Sequence, residues 1–127
     1  MKLLGDFFML DNLVQGTDEL HAVLKTVPGH FVYRAHFPGC PITPGVFLVQ
    51  VVVELAAVAW HRSLMIKTVK NVKYLSQLDP NLFPVVEVAV SRMECNRETL
   101  GETKLTAHIS KGDSVFAKIE LMVSTVC

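Results

Sequence analysis

The sequence has no excess of charge of either sign. Lys and Arg number 12 and Asp and Glu number 12, so the formal net charge is zero. A nucleic-acid binder needs a basic face to neutralise phosphates, and this balance argues against one. Cysteine is scarce. Cys40, Cys95 and Cys127 are an odd number without metal-ligand spacing, so free thiols in a reducing compartment are expected. Long apolar runs are also missing. Met1 to Leu4 is stopped by Gly5 and Asp6, too soon for the core of a secretory leader. The longest run, Val46 to Trp60, is interrupted by Gln50 and Glu54 and falls short of the ~20 residues that span a bilayer. Repeats, low-complexity tracts and linkers are absent as well. The expectation is one cytoplasmic domain over residues 1–127, with no nucleic acid, membrane or metal among its partners.

What the sequence does have is apolar residues, half of the total, enough for a real core. Residues 7–15 read as a strand. Residues 18–27 alternate imperfectly through Leu20, Ala22 and Leu24 and read as a second strand, after a turn at Gln15-Gly16-Thr17. Residues 31–44 hold three prolines and Gly39, a density that permits a structured loop with at most one helical turn. From residue 44 to about residue 65 the apolar residues stand on nearly every side. Thr43 can cap a helix there and Pro44 suits its first turn. A helix apolar all round is buried all round.

Four more strands are expected at residues 67–75, 84–94, 102–110 and 114–124. Asp79-Pro80-Asn81 and Lys111-Gly112-Asp113 mark turns between them. Two strands, one helix and four strands suit an α+β hotdog layout, an antiparallel sheet wrapped around one long central helix. One concave sheet leaves part of such a helix uncovered, so a dimer is expected.

The stretch His36-Phe37-Pro38-Gly39-Cys40-Pro41-Ile42-Thr43-Pro44-Gly45-Val46 is the most informative. It resembles the signature of the 3-hydroxyacyl-carrier-protein dehydratases, which opens the central helix of that hotdog family. The fixed prolines and glycines around the histidine are all present at the family's spacing. More weakly, Val69 to Leu75 looks like the family's third strand and Leu78-Asp79-Pro80 like the turn after it.

The resemblance implies dehydration of (3R)-3-hydroxyacyl thioesters, carried on an acyl carrier protein, to trans-2-enoyl thioesters, without cofactor or metal. That elimination needs a base for the C2 proton, an acid for the departing C3 hydroxyl and donors for the thioester oxygen. By resemblance His36 is the base and the Gly45 backbone N–H the donor, with Phe37, Gly39 and Val46 beside the substrate. Phe31, Tyr33 and Phe37 either line an acyl tunnel or pack the core, and the core is expected. His21, His30, His61 and His108 are expected at the surface.

The sequence departs from the family at one position. The dehydratases carry Glu or Asp fourteen residues after the histidine, facing the histidine of the other subunit; here stands Gln50. An amide cannot ionise and can only hold a hydroxyl or water by hydrogen bonds. One turn on, where many of these dehydratases carry Gln, stands Glu54, displaced about 5–6 Å along the axis. His36 could then serve as both base and acid with Gln50 orienting the hydroxyl, or Glu54 could act through a water. Alternatively the subunit is silent, an acyl binder or the partner of an intact dehydratase in a heterodimer. A homodimer, or a larger assembly of dimers, is the default. Thioester hydrolysis, known in other hotdog families, is a further alternative and would rest on Glu54. A purely structural role is expected for Glu54 if its carboxylate is satisfied internally.

Overall fold

The computed structural model describes residues 2–94 and 102–126. Cys95 and Cys127 lie outside the described residues. Strands β1 (Phe8–Gln15) and β2 (Glu19–Thr26) come first. A short helix α1 (Phe31–Ala35) and a long helix α2 (Gly45–Ala59) follow. The chain then forms β3 (Leu64–Tyr74), β4 (Val85–Glu94), β5 (Glu102–Lys111) and β6 (Ser114–Thr125). The strands make one sheet in the order β1-β2-β4-β5-β6-β3, every neighbouring pair antiparallel. None of the helices described is long and apolar enough to cross a membrane.

The sheet and α2 hold each other by simple periodicity. Leu20, Ala22 and Leu24 of β2, Val86, Val88 and Val90 of β4, and Leu105, Ala107 and Ile109 of β5 are buried at alternate positions. They meet α2 through Val51, Val52, Leu55 and Ala56, all fully buried. In β6 a register shift beside Ile109 and Ser110 brings Phe116 into the core along with Ala117, Ile119 and Leu121. Val115, which strict alternation with Ala117, Ile119 and Leu121 would put inside, is only half-buried. A bulge places two residues against one and breaks the inward-outward count there.

Two expectations about α2 need correction. The helix stops at Ala59 instead of running to about residue 65. Trp60 caps it, His61 turns to φ 51° and the Arg62 N–H reaches back 3.1 Å to the Ala57 carbonyl. This 6→1 bond closes a helix end with one left-handed residue, here histidine in place of the usual glycine. Leu64 and Met65 thereby become the first residues of an edge strand. Thr43 does not cap: it is buried, its hydroxyl 2.7 Å from that of Tyr33, and Pro44 is the cap residue without a side-chain bond. As expected of one sheet, α2 is not covered all round within one chain. Val46 (63% exposed) and Val58 (45%) bracket the half-buried Gln50 and Glu54. The four recur every fourth residue and form one stripe.

Because Leu55 is fully buried between helix and sheet, Leu55→Ala should lower unfolding free energy by about 2–5 kcal/mol. Urea denaturation of the two proteins measures this; a cost under about 1 kcal/mol would contradict the core position assigned to it.

Candidate active site

The loop that carries the motif is held by local bonds at nearly every step. His30 begins α1 as its cap, Nδ1 accepting from the Val32 N–H at 3.1 Å. Its Nε2 stands 3.1 Å from the Asp6 carboxylate, and its ring packs against Phe7 and Phe31. His30 is therefore tucked in, not at the surface as expected: its side chain is only 8% exposed. Tyr33 enters the core, and burial pushes its phenol up to about 12. Phe31 and Phe37, expected in the core, are 70% and 49% exposed and form an apolar rim on the loop. Tyr33 is the residue that α1 buries, while Phe31 stacks on His30 and Phe37 on His36.

His36 closes α1. Its N–H bonds the Val32 carbonyl at 2.9 Å and its own carbonyl accepts from Ile42 at 3.0 Å. Between those anchors, Phe37 and Cys40 exchange backbone bonds of 3.0 and 2.9 Å around Gly39, whose φ of 75° few other residues adopt. The His36–Phe37 peptide is cis, and the two rings stack with centroids 4.1 Å apart. Imidazole Nδ1 lies 3.0 Å from the Ile42 carbonyl oxygen. A carbonyl can only accept, so Nδ1 carries the hydrogen and, in the neutral ring, Nε2 keeps its lone pair. The ring is thus oriented by the backbone and set up to take a proton at Nε2.

Gly45 is the first residue of α2, where backbone N–H groups have no partner inside the helix. Its Cα is covered by the ring of Tyr74, the last residue of β3. A Cβ at position 45 would come within 2.6 Å of that ring. Glycine here lets the tyrosine ring lie close over the helix start, and a larger residue would have to displace it. Tyr74 was not singled out in the sequence, because nothing local ties it to a residue so distant along the chain.

Glu54 is committed within its own chain. Oε1 accepts from the Leu3 N–H at 2.8 Å and the Leu4 N–H at 3.0 Å. Oε2 lies 2.9 Å from the same Leu3 nitrogen and accepts from Gln50 Nε2 at 3.1 Å. Leu3 and Leu4 are buried and continue through a turn into β1. The carboxylate therefore pins the segment before β1 onto the α2 stripe. His36 and Gln50 belong to separate sets of partners within one chain: the ring to Ile42 and Phe37, the amide to Glu54. Cys40, in the motif's variable slot, is exposed. A cavity of about 300 Å³ at the other end of α2 is bordered by Trp60, Arg62 and Arg92. Arg92 is already held there by the Trp60 ring, the Thr17 carbonyl and Asp18.

One antiparallel sheet wrapped on a central helix, with a histidine loop leading into that helix, is the hotdog fold of thioester-handling proteins. Residues 13–112 match the family model described as ApeI-like, ApeI dehydratase. The chain belongs to that dehydratase family. It is 27% identical over 125 residues to the 3-hydroxyacyl-[acyl-carrier-protein] dehydratase FabZ of Pelotomaculum thermopropionicum, covering 91% of this chain and 86% of that one. It is 30% identical over 100 residues to FabZ of Caulobacter sp. strain K31, covering 74% of this chain and 60% of the relative. Among solved structures, it superposes on the dehydratase heterocomplex ApeI:P from Xenorhabdus doucetiae with TM-score 0.71 at 17% identity, covering 92% and 97% of the two chains. A hypothetical thioesterase with coenzyme A from Streptococcus pneumoniae TIGR4 gives TM-score 0.65 at 8% identity, covering 94% and 85%. At such identities the two structures support the fold alone.

Two substitutions test this geometry. Gly45→Ala should cost about 1–3 kcal/mol of stability through the Tyr74 contact. Most of that cost should vanish in a Tyr74→Ala background, so a double-mutant cycle by denaturant unfolding should show coupling. Glu54→Ala should speed hydrogen exchange at the Leu3 and Leu4 amides by at least tenfold and leave exchange in β5 unchanged. Equal protection in both proteins would mean the clamp contributes nothing.

Proposed function

We propose that the protein dehydrates (3R)-3-hydroxyacyl thioesters borne on an acyl carrier protein, giving trans-2-enoyl thioesters, from sites shared between two subunits. The observation that carries the reading is the His36 ring, held by the Ile42 carbonyl with Nε2 as its basic nitrogen, in a loop that leads directly to the Gly45 amide. Nε2 removes the C2 proton, the C2–H electrons form the C2=C3 bond, and the C3–O bond breaks. The Gly45 N–H steadies the thioester oxygen as charge builds on it, assisted by the positive end of α2. With an amide at position 50, the proton that completes the departing water comes from the imidazolium formed in the first step. Gln50 of the opposing subunit holds the hydroxyl in place. Phe37, Gly39 and Val46 border the acyl-pantetheine path.

The dimer follows from the uncovered stripe of Val46, Gln50, Glu54 and Val58, which a second copy would bury. A second reading has its own support. Gln50 donates to Glu54 within its own chain, an arrangement that also suits the non-acidic subunit of a heterodimer. The similar dehydratase structure from Xenorhabdus is itself a heterocomplex. Hydrolysis is less well supported, since Glu54 spends its oxygens on Leu3, Leu4 and Gln50 and is poorly placed to activate water.

The pure protein, given a 3-hydroxyacyl thioester, should produce enoyl absorbance. His36→Ala should reduce that rate at least 100-fold, in keeping with removal of a general base, and Gln50→Glu should raise it. Silence of wild type and His36→Ala alike would overturn the homodimeric reading. Activity regained on adding a carboxylate-bearing family member would establish the heterodimeric one.

A further inference from the structure

The Tyr74 hydroxyl is a polar side-chain group that the fold brings to Gly45 and that the motif does not include. It lies 2.9 Å from where a Cβ of Gly45 would stand. That point is about 2.5 Å from the Gly45 nitrogen by standard covalent geometry, so phenol oxygen and amide nitrogen are within about 5.5 Å of each other. Two donors that close can both reach a single oxygen at ordinary hydrogen-bond lengths of about 2.8–3.0 Å. The ring is held in register by β3, where Tyr74 pairs with Ala117 of β6, and it stays half exposed. Among the described residues the Tyr74 hydroxyl has no hydrogen-bond partner. Partial burial raises the phenol above its ordinary range, so at neutral pH it keeps its proton and can donate.

We infer that Tyr74 is a second donor to the thioester oxygen, acting beside the Gly45 amide in the same subunit. The inference rests on the thioester reading of the site given above. It gives the tyrosine hydroxyl, set close over the first residue of α2, a use that a phenylalanine ring could not serve. A phenol there adds a neutral, preoriented dipole to the helix end. Its benefit grows as charge moves onto the oxygen, so the effect falls on turnover more than on substrate affinity.

The test is Tyr74→Phe, which keeps the ring over Gly45 and removes only the hydroxyl. Thermal unfolding should be unchanged. Turnover of a 3-hydroxyacyl-pantetheine thioester should fall about 10- to 100-fold with KM within about threefold. A second measurement does not need turnover: the infrared carbonyl stretch of bound saturated acyl-pantetheine. Bound to wild type, it should shift to lower frequency than in water, and Tyr74→Phe should lose part of that shift. If Tyr74→Phe matches wild type in both rate and carbonyl frequency, the Tyr74 assignment is wrong while the dehydratase reading stands. If wild type neither turns over nor shifts the carbonyl, the thioester reading fails and the Tyr74 assignment with it. If wild type shifts the carbonyl without turnover and Tyr74→Phe does not, Tyr74 is a donor in a binding subunit.

Discussion

One sheet can cover only one side of a helix, and most of this structure follows from that. The face of α2 that meets the sheet is aliphatic without exception, with Val51, Val52, Leu55 and Ala56 fully buried. The opposite stripe is left uncovered within the chain and mixes two kinds of residue. Val46 and Val58 offer apolar area at the ends, and Gln50 and Glu54 form a hydrogen-bonded pair between them. In the proposed dimer, that polar pair would give the covering subunit a register to match as well as an apolar area to bury.

The same stripe organises the start of the chain. The Leu3 and Leu4 amides need acceptors, since neither residue lies in a ladder that would use them. Glu54 supplies those acceptors from a helix that is otherwise nearly free of charge. The segment then buries Leu3, Leu4 and Phe7 against α1 and α2, and Phe7 touches Phe8, His30, Tyr33 and Phe47 edge-on or tilted. Through those rings the anchor at Glu54 reaches α1, and α1 ends at His36. The carboxylate on α2 and the imidazole at the end of α1 are thus joined by continuous packing, while the ring itself is oriented by the Ile42 carbonyl.

Much of this was legible in the sequence. Strand alternation in β2 and β5 and the turn residues between strands gave the element order. The density of prolines in residues 31–44 marks a loop with at most one helical turn, and α1 is that turn. What could not be read depended on contacts between residues distant along the chain. Thr43 looks like a helix cap by position, but the Tyr33 hydroxyl claims its side chain. The end of α2 was overestimated because periodicity cannot show a histidine turning left-handed where glycine is usual. His30 looked like any polar loop residue until Asp6 and Phe7 were brought to it by the segment pinned at Glu54. The Tyr74 ring on Gly45 is of the same kind, since the β3–β6 register decides it.

The exchange of Gln and Glu along α2 has a chemical consequence beyond the loss of an acid. Glu54 accepts hydrogens from the Leu3 and Leu4 amides and from Gln50 Nε2. A carboxylate at position 50 would have no N–H to give it and would set two like charges one turn apart. The amide at position 50 avoids that repulsion and adds a donor to the cluster that holds the segment before β1. The two exchanged positions therefore act together: the residue that removes the acid at position 50 is also the one that completes the hydrogen-bonding of the carboxylate at position 54.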